Sequence, residues 1–387
     1  MVGVEFMDLA KNRPIVLLRG GALADIGSLL AGLPVERVFF VVDEVAFRSS
    51  QAQSVLDPWL RTVQVSEFSE FEPNPKLEDV QAGVDRFRKA NADLIMALGG
   101  GTAIDLAKLI VTFAGSSEDP RELATGTVPI SGRKTPLLVI PTTAGTGSEA
   151  THFAVVYVDG QKFSVADSCL LPDYVVIDPL LTSKLPAKLT ASTGLDAFCQ
   201  AIESIWSVGA TQESLEYATT AVQLCREHLL PAIHNPSPDA RLGMCRASHL
   251  AGKAINISKT TLPHAMSYAL TSKYRIAHGE AVAMTLPAAF MFNAGITEAN
   301  CNEPRGVEHV TRRLDSIRQL FDASSMEETC AAIREFIVAT GNVASVKDAG
   351  IVEASELEWL AKQVNSVRLA NNPRAATHAD FVQLLRQ

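Results

Sequence analysis

Leu94-Ile95-Met96-Ala97-Leu98-Gly99-Gly100-Gly101-Thr102-Ala103-Ile104-Asp105-Leu106-Ala107-Lys108 reads as a buried strand, a three-glycine turn and the first turns of a helix. Glycines there let backbone approach a ligand closely, and a helix start offers unpaired N–H groups with a favourable dipole. Such a turn suits a phosphate group. A second loop, Val139-Ile140-Pro141-Thr142-Thr143-Ala144-Gly145-Thr146-Gly147-Ser148-Glu149, follows another apolar run. Either loop alone also reads as an ordinary strand-to-helix turn. Two together imply one nucleotide held from two sides.

Around these loops the first half alternates short strands with helices. Arg37–Val42, Thr62–Ser66, Leu94 onward, Leu137–Ile140 and Tyr174–Asp178 read as strands. Leu77–Ala92 and Ala103 to about Phe113 read as helices, the first with Val80, Val84 and Phe87 on one face. His152–Val158 and Gln161–Val165 form a hairpin turned at Asp159-Gly160. Gly115 to Lys134 reads as a surface loop. This alternation predicts an α/β domain with a mostly parallel, Rossmann-like sheet covered by helices on both faces. After Pro179 the character changes. Segments at about 190–206, 212–233, 239–256, 260–271, 280–293, 305–340 and 354–384 are all helical in pattern. The expected organisation is a nucleotide-binding α/β domain over 1–184 and an all-α domain over 185–387.

A chain of 387 residues, 47% hydrophobic, is long enough for two cores of ordinary size. Its net charge of −9 and its lack of a Lys/Arg run argue against a nucleic-acid surface. No apolar run reaches the roughly 18–20 residues needed to span a membrane. The opening Met1-Val2-Gly3-Val4-Glu5-Phe6-Met7-Asp8 lacks the basic-then-apolar pattern of a secretory signal. Six cysteines (Cys169, Cys199, Cys225, Cys245, Cys301 and Cys330) with no CxxC read as reduced thiols, so a cytoplasmic location is expected.

Thr193-Gly194-Leu195-Asp196-Ala197-Phe198-Cys199-Gln200-Ala201-Ile202-Glu203 begins a helix in which Asp196 and Gln200 project from one face. His264, in Leu262-Pro263-His264-Ala265, and His278, in Ala277-His278-Gly279-Glu280, lie downstream. A carboxylate and two imidazoles from separate helices form a candidate divalent-metal site. On spacing alone, Asp196 also reads as a helix N-terminal charge, and each histidine as a hydrogen-bonded buried side chain.

These stretches occur in the order found in the iron-containing (group III) alcohol dehydrogenases, which the chain resembles along essentially its whole length. The resemblance rests on Gly99-Gly-Gly-Thr102-x-x-Asp105-x-Ala-Lys108, Pro141-Thr-Thr-x-Gly-Thr-Gly-Ser-Glu149, Thr193-Gly-x-Asp196-Ala, His278-Gly279 and Arg368-Leu-Ala-Asn-Asn-Pro373. It implies a dehydroquinate synthase-like architecture, with a dinucleotide-binding domain, a helical metal domain and redox chemistry at the cleft between them. Carried over by position, Gly100, Gly101 and Thr102 would hold the cofactor pyrophosphate, with Asp105 supporting the turn. Thr142, Thr143, Thr146 and Ser148 would line the adenosine and nicotinamide path, and Lys162 would contact the ribose. Asp43 would bond the adenosine ribose hydroxyls and repel a 2′-phosphate, favouring NAD over NADP; it also reads as a simple turn or helix cap. Asp196, His264 and His278 match three of the four metal ligands and would form the catalytic metal site. Where the fourth is normally histidine, this chain has Gln200, a weaker and harder donor. Fe2+ is the family's usual ion, and Zn2+ suits the same ligands. Family members commonly dimerise, so a homodimer is expected.

Ala251-Gly252-Lys253-Ala254-Ile255-Asn256-Ile257-Ser258-Lys259-Thr260-Thr261 departs from the apolar stretch usual in that family, and Lys273 and Arg275 follow. Cations and hydroxyls beside a metal site suit an anionic substrate group; lysines in such a stretch also occur on solvated helix faces. Lys253, Asn256, Ser258 and Lys259 are the candidate substrate contacts. The Asn-Ile-Ser-Lys-Thr-Thr pattern resembles the phosphonoacetaldehyde reductase subgroup. That resemblance implies reduction of phosphonoacetaldehyde by NAD(P)H to 2-hydroxyethylphosphonate in phosphonate natural-product biosynthesis. A semialdehyde or an uncharged short-chain aldehyde would be alternative substrates. A non-redox NAD/metal enzyme resembling dehydroquinate synthase, and a binding protein on the same scaffold, are readings from other classes.

Overall fold

A computed structural model describes residues 14–364 and 369–387. The chain forms two compact units, Met1–Leu185 and Pro186–Gln387.

The first unit is built on six parallel strands: β1 (Ile15–Leu18), β2 (Arg37–Val42), β3 (Gln64–Phe68), β4 (Leu94–Gly99), β5 (Leu137–Pro141) and β8 (Tyr174–Ile177). Their order across the sheet is β1-β8-β5-β4-β2-β3. β6 (Phe153–Val158) and β7 (Gln161–Ala166) form a separate antiparallel hairpin. It turns at Asp159 and Gly160, both at positive φ, as expected. Both faces of the sheet are covered, which is why β2, β4 and β5 read as unbroken apolar runs rather than alternating ones. On one side Val38, Phe40 and Val42 join Leu23, Ile26 and Leu56 in one core. On the other, Phe39 packs edge-on against Phe87 of α4 (Leu77–Ala90), ring centroids 5.4 Å apart.

Several details differ from expectation. β1 was not foreseen, because four residues carry little periodicity. β3 begins at Gln64 because Thr62 is spent in a turn, its N–H and hydroxyl both donating to Trp59 O. The stretch expected to be loop, Gly115 to Lys134, contains the helix Pro120–Thr125. Asp119 caps that helix by accepting from Arg121 N.

The second unit is helical. α7 (Ala187–Trp206) is almost wholly buried and lies against α8 (Gln212–His234), α9 (Pro238–Ser258) and α11 (His278–Ala283). α10 (Leu262–Tyr274) packs on α11 and contributes Leu262, Met266 and Leu270 to a core with Leu360, Phe381 and Leu384. Among the described residues, three long expected helices are each interrupted. The 280–293 stretch breaks into α11 and α12 (Leu286–Ala294), with Pro287 in the first turn of the second. The 305–340 stretch breaks where Asp322 takes positive φ and Ser325 caps a new helix. The 354–384 stretch breaks before a Thr377 capping box. Among the described residues, no helix is long and apolar enough to cross a membrane.

Candidate functional site

The first unit gathers its candidate residues at the carboxyl ends of three adjacent strands. The chain runs outward from β2 to β3, then returns to place β4 on the other side of β2. Open parallel sheets leave a ligand-binding crevice at such a reversal. Asp43 follows β2, Gly100 to Thr102 follow β4, and Thr142 to Ser148 follow β5. Asp43 N donates to Leu98 O at 2.9 Å, and Thr142 N donates to Gly99 O at 2.9 Å. Gly100 and Gly101 open α5 (Gly101–Ala114). A Cβ on Gly101 would sit 2.9 Å from Thr146 Cγ2 and 3.1 Å from its Oγ1, so the two loops touch only because that position is glycine. Thr102 Oγ1 accepts from Asn74 N at 3.4 Å. Asp43 caps the helix Glu44–Ser49, its Oδ1 accepting from Ala46 N at 3.0 Å. Lys162 stands on β7, opposite Tyr157 of β6.

Asp105 and Lys108, one turn apart on α5, fix the second loop from behind. Asp105 accepts from Ser148 Oγ and, at 3.0 Å, from Val155 N. Lys108 is fully buried. Its Nζ donates toward three carbonyls, Ser148 O at 2.6 Å, Thr151 O at 2.7 Å and Phe153 O at 3.0 Å. The hydroxyls of Ser148 and Thr151 lie at 3.3 and 3.1 Å. Burial pushes its ammonium down to about 8, against the pull of Asp105 and Glu149, so it is charged at neutral pH. Ser148, read from the sequence as a cofactor contact, is thus tied on both sides to α5. The sequence named Lys108 but gave it no task.

In the second unit, Asp196, Gln200 and Glu203 lie along one face of α7 at i, i+4 and i+7. His264 enters in the first turn of α10, and His278 is the first residue of α11. Asp196 Oδ1 lies 3.3 Å from His264 Nε2 and 4.0 Å from His278 Nε2. Donor atoms of the three residues all lie within 4.8 Å of one another, slightly wider than the roughly 4.2 Å or less that separates ligands about 2.1 Å from one shared cation, so small side-chain shifts would bring them into range. The His264 and His278 rings meet edge-on at 5.4 Å, and Tyr268 stacks on His278 at 6.4 Å.

Glu203, fully buried, holds this group from behind. One oxygen accepts from Thr261 N at 2.6 Å and Thr261 Oγ1 at 2.8 Å, so it also satisfies the start of α10. Its other oxygen accepts from His264 Nδ1, which turns Nε2 toward Asp196. Gln200 hydrogen-bonds to Asp196. Burial alone would lower the His264 pKa. Glu203 and Asp196 outweigh it and raise the imidazole to about 10. Burial would likewise raise Asp196, but His264, His278 and Gln200 hold it below the usual carboxylate value. Two buried carboxylates thus flank one imidazole and favour positive charge between them. A divalent cation on the same donors would supply that charge equally well, so the donor set fits one.

The substrate candidates part company. Ser258 is buried, and its hydroxyl donates to Ser204 Oγ at 2.7 Å. The Lys253 ammonium sits 4.0 Å over the Tyr217 ring. Lys273 lies 4.4 Å over Trp359 and 3.9 Å from Glu356. Asn256 is half-buried on α9 and Lys259 is exposed just past its end. All six cysteines are free thiols.

Residues 14–179 match the family model of iron-containing alcohol dehydrogenases, and residues 190–387 match the C-terminal model of the same family. A phosphonoacetaldehyde reductase of Streptomyces viridochromogenes is 33% identical over 80% of this chain and 79% of its own length. An NAD-dependent methanol dehydrogenase of Bacillus methanolicus is 28% identical over 96% of this chain and 97% of its own. Among solved structures, the sulfoacetaldehyde reductase of Bifidobacterium kashiwanohense in complex with NAD+ has a TM-score of 0.86 at 28% identity, covering 98% of this chain and 97% of that one.

Proposed function

We propose that this chain, which belongs to the iron-containing alcohol dehydrogenase family, reduces a small anionic aldehyde to its alcohol with NAD(P)H. Phosphonoacetaldehyde, yielding 2-hydroxyethylphosphonate for phosphonate natural-product biosynthesis, is the first candidate. The redox chemistry rests on one observation: Asp196, His264 and His278 converge, with Glu203 behind them. The anionic substrate is supported by two relatives whose names carry a charged aldehyde, phosphonoacetaldehyde and sulfoacetaldehyde reductases.

Asp196, His264 and His278 would hold a divalent ion, Fe2+ or Zn2+. When bound, the ion supplies Lewis-acid polarisation of a carbonyl oxygen and the nicotinamide supplies hydride. The chain's residues do the positioning. With an ion bound, Glu203 would hold a proton on His264 Nδ1 and so leave Nε2 to face the ion. Gln200 steadies the Asp196 carboxylate. The Gly100–Thr102 turn, with Thr142, Thr143, Thr146, Ser148 and Lys162, would bind the dinucleotide. Asp43 beside that turn would disfavour a 2′-phosphate, making NADH the better donor.

The test is NADH oxidation by the Fe2+-reconstituted enzyme with phosphonoacetaldehyde, sulfoacetaldehyde and propanal. A kcat/KM at least about 100-fold higher for a charged aldehyde (roughly 3 kcal/mol) is expected; equal values would remove the anionic substrate while leaving the reductase. Glu203→Gln is expected to weaken divalent-metal retention about 10- to 100-fold, read by competition with a chelator. Unaltered retention would show that His264 needs no orienting carboxylate.

A further inference from the structure

Lys259 closes α9 at φ 60° and ψ 174°. That region of backbone space is essentially reserved for glycine, because a Cβ there crowds its own chain. Asn91 and Arg275 also end helices at positive φ, but at ψ 47° and 27°, within the ordinary left-handed region. Lys259 is therefore strained where those two are not.

The strain is enforced from both sides. Asn371 Nδ2 donates to Ser258 O at 2.8 Å and to Thr260 O at 3.0 Å, gripping the carbonyls that flank Lys259. Asn371 Oδ1 in turn accepts from Gly209 N at 3.0 Å. Ser207 Oγ lies 2.7 Å from Ser258 O, and Lys259 N donates to Ile255 O at 2.8 Å. Two residues further on, Thr261 binds Glu203, which binds His264. The segment from Lys259 to the metal-ligand group is thus short and pinned at each step.

The lysines of this region have different company. Lys253 and Lys273 lie over aromatic rings, whereas among the described residues the exposed Lys259 ammonium forms no hydrogen bond or ion pair. Glycine would take this backbone without strain. This lysine is exposed, lies two residues before the Thr261 that binds Glu203, and holds the kind of strained backbone that clusters at ligand sites. We propose that Lys259 is the anion-selecting residue of the substrate site, its ammonium binding the phosphonate or sulfonate group of the aldehyde. The pinned, strained backbone fixes the point from which that ammonium reaches. This inference rests on the anionic-aldehyde reading above.

The test uses the full-length, Fe2+-reconstituted enzyme with Lys259→Gly and Lys259→Gln. For each we would measure Tm and the ratio of kcat/KM for phosphonoacetaldehyde or sulfoacetaldehyde to that for propanal. Both variants are expected to lose about 10- to 100-fold of that ratio, the worth of a charge-assisted hydrogen bond. Lys259→Gly is expected to raise Tm by about 2–4 °C by relieving the backbone. Lys259→Gln, still strained, should stay near wild type. A wild-type enzyme with no preference for charged aldehydes would overturn the substrate reading and this role with it. A preference that both variants keep would overturn the role of Lys259 alone. A Lys259→Gly enzyme no more stable than Lys259→Gln would overturn the strain argument.

Discussion

Gly279→Ala is expected to lower the stability of the second unit by about 3 kcal/mol or more and to abolish metal retention. A Cβ at this position would lie 1.9 Å from Ser192 O and 2.8 Å from Asp196 N, both backbone atoms of α7. Rotamer changes cannot relieve a clash with backbone, so α11 would have to withdraw from α7. Overpacking of this kind typically costs about 1–3 kcal/mol, and more where the neighbour is rigid. α7 is buried by helices along its length and has little room to give. Since His278 directly precedes Gly279, withdrawal would carry its imidazole away from Asp196. Thermal denaturation and metal content after dialysis against a chelator would read the two effects. A variant with the Tm and metal content of wild type would show that α11 does not set the His278 position.

Lys108→Met should be comparably damaging in the first unit, at about 3–5 kcal/mol. Methionine matches the length of the lysine stem but removes the ammonium from three buried carbonyls, leaving Ser148 O and Phe153 O with only long bonds from Thr151. The hydroxyls of Ser148 and Thr151 can turn to other partners; buried carbonyls cannot. The loop carrying Ser148 and Thr151 would shift, and with it the contact between Thr146 and Gly101. Weaker NADH binding by at least about tenfold should accompany the loss of stability, read by titration of NADH fluorescence and by chemical denaturation. Normal NADH affinity in a destabilised Lys108→Met protein would separate the buried ammonium from the binding loop.

The sequence carried much of the first unit because its signals are local. Buried parallel strands announce themselves as apolar runs, and the turn after β4 as consecutive glycines. Asp43 was legible both as a ribose contact and as a cap, and the cap is in the structure. Glu203 stood in plain view one turn beyond Gln200. Continuing the face from i+4 to i+7 would have found it, but nothing in the spacing shows that its partners are Thr261 and His264. The ammonium of Lys108 was opaque for a similar reason, since its acceptors lie some 40 residues downstream. Lys253 and Lys273 looked like substrate cations because the aromatic rings that receive them, Tyr217 and Trp359, come from other helices. Of the closing motif, Arg368 lies outside the described residues. Asn371 and Asn372 act as clamps, Asn372 Nδ2 donating to Asn293 Oδ1 at 2.8 Å.

Among the described residues β1 pairs only with β8, Ile15 opposite Tyr174 and Leu18 opposite Ile177. At synthesis rates of about 5–20 residues per second, the ribosome needs roughly 8–30 s after making the first of these strands to make the second. During that interval Ile15-Val16-Leu17-Leu18 has no neighbour to complete its ladder. Asp178, whose carboxylate receives Gly21 N at 3.0 Å and Leu23 N at 3.1 Å, arrives later still. Closure of the sheet is therefore a late, long-range event in the synthesis of this chain, and β1 is, among the described strands, the one that waits longest for its partner.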